Sequence, residues 1–283
     1  MGAYGFLGPV VSTTLAAAGH TVLRQGRNAA AQVPCDPLKA AVFRSVLEQY
    51  RPSVIINLIA MTDVDLCERE PARAFDANVR VVESIAQAIG SQSQAGRIHL
   101  VQISTDQVYD GPGPHHEGDT KPPNVYGATK HEGELVAQGM GATVLRTNFV
   151  GRSRSPKRRS LSDWIVDSLR AAQPITVFEN IRFSPLHVST LCQCIERVVS
   201  VRTPGVFNAG AVNGISKAEF ARSLASQLRL DTATMRSGPY VEMPQKARRP
   251  LDMTMAVDKF QLAFGLALPR VEDEVQLVAK EYL

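Results

Sequence analysis

The chain has 283 residues, of which 44% are hydrophobic and 20% charged, and its formal net charge is +4. This composition is typical of a globular protein with one large domain or two unequal ones, and the mild charge gives no argument for a nucleic-acid partner. No apolar stretch approaches the roughly 20 residues of a membrane span, and no signal peptide is evident, so no membrane role is expected.

The cysteines give no indication of a metal site. Cys35, Cys67, Cys192 and Cys194 lack the spacing of metal ligands, so no metal is expected. Reduced thiols in a cytoplasmic protein are the better interpretation.

Helical and strand patterns alternate along the first half of the chain. The apolar run "SVIINLIA" is typical of a strand covered on both faces. In chain order, the predicted elements are a helix in "FLGPVVSTTLAAAGH", a strand in "TVLR", a helix in "PLKAAVFRSVLEQY", the strand "SVIINLIA", a helix in "PARAFDANVRVVESIAQAIG", a strand in "RIHLVQIS", a helix in "VYGATKHEGELVAQ" and a strand in "ATVLRT". This order predicts an α/β fold with a doubly wound parallel sheet of the Rossmann type.

The pattern becomes less regular after residue 147. We predict an NAD(P)-binding domain over residues 1–147 and a smaller, discontinuous substrate-binding lobe over 148–283, with segments around 183–209 returning to the first domain. The basic stretch "RSRSPKRR" either contacts a substrate diphosphate or forms a solvated loop.

The chain opens with "MGAYGFLG", in which Gly2, Gly5 and Gly8 are evenly spaced before a helical pattern. Such a loop lets backbone approach a dinucleotide diphosphate at a helix N-terminus. The alternative is a glycine-rich tail, but the helix that follows at once favours a phosphate loop.

A phosphate loop of this kind normally follows a central strand, and here only Met1 precedes the glycines. The first strand is therefore expected to be missing from this sequence. We expect a start site placed too late, with roughly 5–8 further apolar residues upstream, or else a degraded gene.

The segment after "TVLR" indicates the cofactor. NAD-preferring loops commonly place an acidic residue here, whereas this chain has Arg24 and Arg27. Because a guanidinium suits a 2′-phosphate, NADP(H) is favoured, with NAD(H) as the alternative.

The stretch "VYGATKHEGE" places Tyr126 and Lys130 four residues apart, hence on one helical face. A neighbouring ammonium lowers the pKa of a phenol, as general acid–base catalysis requires. Ser104, Thr105 and Asp106 lie where the predicted strand "LVQIS" ends, at the ligand edge of the sheet, where a hydroxyl can bind a carbonyl oxygen. A turn-capping cluster is the alternative for these three residues.

The sequence resembles the extended short-chain dehydrogenases/reductases, and within them the dTDP-4-dehydrorhamnose reductase-like sugar-nucleotide proteins. The resemblance covers nearly the whole chain. It is carried by "GAYGFLG", "RPSVIINLIAMTDVDLCEREP", "ANV", "ISTDQVYDG", "PPNVYGATKHEGE", "VLRTNFVG", "RFSPLHVSTL", "GVFNAG" and "RRPLDMTMAVDKF".

The resemblance implies hydride transfer from NAD(P)H to C4 of a 4-keto-6-deoxy sugar nucleotide, in carbohydrate biosynthesis, with tyrosine as proton donor. A homodimer is also consistent with it. The implied catalytic residues are Thr105, Tyr126 and Lys130. The implied cofactor-binding residues are Gly2, Gly5, Phe6, Leu7, Gly8, Arg27, Ala60, Asn78, Tyr126 and Lys130. The implied substrate-binding residues are Thr62, Thr105, Asp106, Gln107, Asn148, Phe149 and Arg249.

Several positions depart from the family pattern. They are Leu58, Ile59 and Met61 in an otherwise alanine-rich run, Gln107 in place of an aromatic residue, Asn148 and Phe149 in place of Ser-Trp, and the stretch "ENIRFSPLH". Since these positions would face the sugar or its nucleotide, other sugar nucleotides remain open as substrates. A sugar-nucleotide epimerase or dehydratase and a non-catalytic or regulatory NADP-binding protein remain as alternatives.

Overall fold

The computed structural model describes residues 1–90, 98–153, 159–243 and 246–283. The helices are Gly8–Ala17 (α1), Ala40–Tyr50 (α2), Val64–Arg69 (α3), Pro71–Phe75 (α4), Val81–Gly90 (α5), Val125–Gln138 (α6), Leu161–Arg170 (α7), Val188–Val201 (α8), Lys217–Gln227 (α9), Asp258–Phe264 (α10) and Val271–Lys280 (α11). The strands are Gln25–Gly26 (β1), Val33–Pro34 (β2), Val54–Asn57 (β3), His99–Thr105 (β4), Thr143–Thr147 (β5), Phe149–Val150 (β6), Ile175–Phe178 (β7), Arg182–Phe183 (β8), Leu186–His187 (β9), Gly205–Ala209 (β10), Ile215–Ser216 (β11), Met235–Gly238 (β12) and Asp252–Met253 (β13). A π-helical turn, Asp76–Arg80, joins α4 to α5.

The main sheet is parallel, with the strand order β10-β5-β4-β3. Successive residues of β4 face opposite layers. Leu100 belongs to the core beneath α2, α5 and α6, whereas Val101 and Ile103 belong to the core beneath α1 and α8. A parallel sheet with helices on both faces is the doubly wound Rossmann type, so the predicted fold class is confirmed.

Much of the chain after β5 packs around a second hydrophobic core. Ile165 of α7, Phe220 of α9 and Val275 of α11 pack there against the short strands β7 and β8. Capping boxes begin two of these helices: Ser160 with Asp163 at α7, and Ser216 with Glu219 at α9. The domain boundary at residue 147 stays a prediction.

The prediction of a strand at "TVLR" is wrong. Residues 21–24 form no strand, and β1 begins at Gln25. Arg24 accepts a hydrogen bond from the Val33 amide at 3.1 Å. Residues 21–23 have no backbone hydrogen-bond partner anywhere in the described ranges. A β-strand that lies inside a sheet is stabilised by hydrogen bonds on both edges, and these three residues lack them.

None of the helices among the described residues combines the length and apolarity that crossing a bilayer requires. The four cysteines are buried, and the described part of the chain contains no disulfide.

Candidate active site

The glycine loop leads directly into α1. Gly2 has a φ of +70°, a conformation that glycine adopts without strain, and a Cβ on Gly8 would lie 2.5 Å from the Ala3 carbonyl group. The close turn of residues 2–8 therefore requires glycine at both positions. The backbone N–H groups of Phe6, Leu7 and Gly8 have no acceptor within the described ranges. Such donors at a helix N-terminus suit an anion.

Tyr4 of this loop lies beside Arg24. The Arg24 guanidinium is 5.8 Å from the centroid of the Tyr4 ring, and the Tyr4 hydroxyl accepts a hydrogen bond from the Gln32 amide at 2.9 Å. Arg27 is also exposed, three residues further along the chain. The structure thus leaves positive charge at the surface near the glycine loop.

Thr105 ends β4, and its hydroxyl accepts a hydrogen bond from the Gln107 amide at 3.2 Å. Because parallel strands end at one sheet edge, Thr105 lies at the same edge as the segments that follow β3 and β5. Helix α6 approaches this edge closely, since a Cβ on Gly127 would lie 2.3 Å from the Gln107 carbonyl oxygen. Gly127 thereby permits the contact between helix and turn.

Helix α6 carries Tyr126 and Lys130 in the predicted register. Asn124 caps the helix by accepting a hydrogen bond from the Gly127 amide at 2.8 Å. Tyr126 is 7% exposed and Lys130 is 3% exposed. The Lys130 ammonium donates to the Ile103 carbonyl oxygen at 2.6 Å, which ties the helix to β4.

The pKa values of Tyr126 and Lys130 differ from those that the sequence predicts. Burial raises the pKa of Tyr126 well above that of a free phenol, although a hydrogen bond with Thr105 opposes the shift. Burial also lowers the pKa of Lys130 to about 8, opposed by the Glu134 carboxylate. Both pKa shifts arise because the two groups are buried and poorly solvated. The spacing of the two residues on a helix does not reveal their burial.

A buried ion pair that sequence reasoning missed lies behind Lys130. Arg146 of β5 and Glu134 of α6 are 2.6 Å apart, with side chains 2% and 0% exposed. Ser104 also donates to Glu134, and Arg146 donates to the Tyr109 hydroxyl at 3.0 Å. Although burial disfavours a charged Glu134, hydrogen bonds from His131, Arg146 and Ser104 keep its pKa low. The continued spacing Tyr126, Lys130, Glu134 was the signal that could have revealed it.

Asn78 holds the segment that follows β3. Its side chain accepts from the Met61 amide at 2.9 Å and donates to the Met61 carbonyl at 3.2 Å and to the Thr129 hydroxyl at 3.0 Å. Asn78 therefore links this segment, which includes Ala60 and Thr62, to α6. Thr62 is exposed and Ala60 is partly exposed.

Asp106 forms a second polar cluster at the sheet edge. Asn148 donates to its carboxylate at 2.6 Å. Burial raises the pKa of Asp106 to about 6, while Asn148 and the positive charge of Lys217 oppose the shift. Burial lowers the pKa of Lys217 to about 8. Nothing in the sequence near Asp106 indicated Lys217, because it comes from α9 in the second half of the chain.

Two predicted substrate residues border this cluster. The buried Oε1 atom of Gln107 has no partner among the described residues. The Phe149 ring lies 5.5 Å from the ring of Phe6, between centroids, so it connects the segment after β5 to the glycine loop.

The Arg249 side chain, predicted to bind substrate, is hydrogen-bonded within the protein. Its guanidinium donates to the Asp65 carboxylate and to the Ala247 carbonyl, each at 2.9 Å. Asp65 also pairs with Lys246 at 3.2 Å, so this segment is attached to α3. Of the basic stretch, residues 154–158 lie outside the described residues, whereas Arg159 pairs with Asp167 at 3.0 Å.

The Rossmann sheet, the glycine loop before α1 and the Tyr126–Lys130 helix beside Thr105 define an extended short-chain dehydrogenase/reductase. The chain belongs to the RmlD substrate binding domain family, whose model matches residues 1–283. The predicted resemblance is thereby confirmed.

Two curated relatives illustrate the range of the family. The probable low-salt glycan biosynthesis reductase Agl14 of Haloferax volcanii is 24% identical over 286 residues, covering 97% of this chain and 94% of that protein. The dTDP-4-dehydrorhamnose reductase of Mycolicibacterium smegmatis is 31% identical over 259 residues, covering 88% of this chain and 74% of that protein.

A solved structure shows the same fold. The dTDP-4-dehydrorhamnose reductase from Bacillus anthracis, in complex with NADP, superposes with a TM-score of 0.87 at 23% identity, covering 99% of this chain and 96% of that one.

Proposed function

We propose that this protein is a cytoplasmic, NADPH-dependent reductase of a 4-keto-6-deoxy sugar nucleotide. The observation that carries the proposal is the burial of Tyr126 beside Thr105 at the ligand-binding edge of the sheet, with Lys130 on the same helical face. The names of the relatives that are dTDP-4-dehydrorhamnose reductases support the substrate class.

The glycine loop fits the cofactor. The N–H groups of Phe6, Leu7 and Gly8, which have no acceptor in the described part of the chain, are suited to the diphosphate, and Arg27 is suited to the 2′-phosphate. When bound, NADPH supplies the hydride for reduction at C4. Asn78 holds the segment after β3 and Lys130 holds helix α6, and both elements would flank the bound cofactor.

The chain supplies the proton. Tyr126 donates its phenolic proton to the oxygen of the C4 carbonyl, so that C4 becomes a secondary alcohol. Thr105 orients that oxygen by hydrogen bonding. The ammonium of Lys130 favours the phenolate that remains, since an opposite charge nearby stabilises it. This role would require the ammonium to turn from the Ile103 carbonyl toward the cofactor and Tyr126.

Incubation with NADPH and a panel of 4-keto sugar nucleotides tests the proposal. A reductase oxidises one NADPH for each alcohol formed, as followed by absorbance and product chromatography. An epimerase or a dehydratase changes the sugar without net NADPH oxidation. A non-catalytic binder shows NADPH binding by fluorescence and no change in any sugar.

The first prediction concerns cofactor choice. We expect NADPH to bind more tightly than NADH, and Arg27→Ala to weaken NADPH binding by about tenfold or more while leaving NADH binding nearly unchanged, because a charge-assisted hydrogen bond to the 2′-phosphate is lost. Arg44→Ala, at another exposed arginine, is the matched control. Equal affinities of the native chain for the two cofactors, measured by fluorescence titration, would reject this assignment.

The second prediction concerns pH. The pKa of Lys130 is about 8, below that of a free lysine, so its ammonium is present below pH 8 and is lost as the pH rises above it. We expect kcat/KM for NADPH to fall above about pH 8, by roughly tenfold per pH unit. Residual turnover of Lys130→Arg should lack this fall, because guanidinium stays charged. A native profile that is flat to pH 10 would contradict the role of the ammonium.

A further inference from the structure

A lysine from the second half of the chain faces the sheet edge that carries the candidate active site. Lys217 is the first residue of α9, and its amide donates to the Ile181 carbonyl at 2.9 Å. Its ammonium lies 3.2 Å from the centroid of the Phe183 ring, which is fully buried. Because the face of an aromatic ring attracts a cation, this contact holds the ammonium in place.

The Lys217 ammonium has no hydrogen-bond acceptor. In the part of the chain that the structure describes, no oxygen accepts from it and no carboxylate lies within ion-pair distance. Asp106 still acts on it through space, since the negative charge of Asp106 opposes the fall in the pKa of Lys217. An ammonium carries three N–H donors, and buried donors are normally satisfied. The donors of Lys217 are therefore available to a bound molecule.

The Asp106 carboxylate is only partly used by its neighbours. Asn148 donates to its Oδ2 atom at 2.6 Å, and the Thr105 hydroxyl donates to its Oδ1 atom at 3.2 Å. A carboxylate has about four acceptor positions, so further hydrogen bonds are possible. At pH 7 the pKa values of about 6 for Asp106 and about 8 for Lys217 leave both groups mainly charged.

A hydroxyl group fits between these two charges. Asp106 and Lys217 are too far apart for a direct ion pair, but close enough for each charge to shift the pKa of the other. A hydroxyl both donates and accepts, so it can donate to the carboxylate and accept from the ammonium at the same time. A carbonyl or a methyl group cannot do both. The pair is therefore suited to a hydroxyl.

The position of Thr105 indicates which sugar hydroxyl this is. In the function proposed above, Thr105 binds the C4 oxygen. The Thr105 hydroxyl and the Asp106 Oδ1 atom are 3.2 Å apart, a spacing similar to that of two oxygens on neighbouring carbons of a sugar ring. In a 4-keto-6-deoxy sugar, C5 carries a methyl group and the ring oxygen, whereas C3 carries a hydroxyl. The C3 hydroxyl is thus the group that lies beside the C4 oxygen.

We propose that Lys217 is a specificity-determining residue of the substrate site, and that together with Asp106 it binds the C3 hydroxyl of the sugar nucleotide. This inference rests on the reductase function proposed above. The protein then prefers 4-keto-6-deoxy sugars that carry a hydroxyl at C3 over those with hydrogen there. The latter leave the ammonium and the carboxylate without this partner, and a site built to bind a hydroxyl rejects an analogue that lacks it.

Equilibrium binding to the complex with NADP⁺ tests the inference separately from turnover. The ligands are the 4-keto-6-deoxy sugar nucleotide that binds most tightly in the panel above and its 3-deoxy analogue, and calorimetry gives each Kd. The native chain is compared with Lys217→Met, which removes the charge, and with Lys217→Arg, which keeps it. Lys259→Met is the matched control, since the Lys259 ammonium also lies over a ring, 5.0 Å from the Phe207 centroid, but donates to the Val206 carbonyl at 2.8 Å.

The native chain is expected to bind the 3-hydroxy sugar at least about tenfold more tightly than the 3-deoxy analogue, because hydrogen bonds to charged groups are lost with the hydroxyl. Lys217→Met should weaken binding of the 3-hydroxy sugar by about tenfold or more and change binding of the analogue by less than about twofold. Lys217→Arg should keep most of the preference. Lys259→Met should leave both Kd values unchanged.

Three results contradict the inference. Equal affinities of the native chain for the two sugars, with NADPH still oxidised by the 3-hydroxy sugar, would overturn it and leave the proposed function intact. An equal loss of affinity for both sugars in Lys217→Met would show that the lysine supports the fold and does not select the hydroxyl. Binding of no sugar in the panel would remove the proposed function, and this inference with it.

Discussion

Replacing Tyr126 by phenylalanine is expected to lower kcat for the 4-keto sugar nucleotide by about 10²- to 10⁴-fold, because the proton donor is removed while the ring remains. Tyr126 is nearly fully buried, so water has little access to the position of its hydroxyl and cannot readily replace it. NADPH affinity should change by less than about twofold, since the lost hydroxyl acts on the carbonyl oxygen. Stopped-flow kinetics and fluorescence titration measure the two quantities.

Tyr240→Phe is the matched control, because this ring packs 5.3 Å from Phe178 in the second half of the chain and its hydroxyl has no role in the proposal. It should keep native turnover. Native-like turnover in Tyr126→Phe would instead remove tyrosine from the mechanism. A loss of NADPH binding in Tyr126→Phe would show that the substitution acts on the fold or the cofactor site.

The largest expected effect on stability comes from Arg146→Met. This change leaves the Glu134 carboxylate buried without its cation, and removing one partner of a buried pair typically costs about 3–5 kcal/mol. The free energy of unfolding should fall by that amount in urea titrations. The double variant Glu134→Gln with Arg146→Met should recover part of the loss, because the buried carboxylate is no longer left without the guanidinium.

Arg159→Met provides the comparison at the surface. Its pair with Asp167 is about half exposed on both sides, so the expected loss is roughly 0–1 kcal/mol. A loss below about 1 kcal/mol in Arg146→Met would show that the buried pair is not needed for stability.

Helix α6 illustrates how far the sequence could be interpreted. Its predicted range, residues 125–138, is the observed one, and Asn124 supplies a local cap at its start. The alternation of helices and strands likewise predicted the parallel sheet. Such features depend on neighbours within a few positions, which are visible in the sequence.

The segment "TVLR" illustrates the opposite case. Its β-branched composition predicts a strand, yet residues 21–24 form none, because in the described part of the chain only Arg24 of these four has a backbone hydrogen-bond partner. Strand formation depends on residues that are distant in sequence. Composition therefore shows that a segment suits a sheet, and only the tertiary structure decides whether its edges are paired.

Some features of the candidate site could likewise be predicted from the sequence, and others depend on the tertiary structure. The sequence by itself determined the order of the glycine loop, Thr105, Tyr126 and Lys130, because that order and spacing are local properties. Only the tertiary structure decided that Arg146 pairs with Glu134, that Lys217 faces Asp106, and that Arg249 binds Asp65. It also decided that burial raises the pKa of Tyr126 and lowers the pKa of Lys130, because desolvation depends on everything packed around a group.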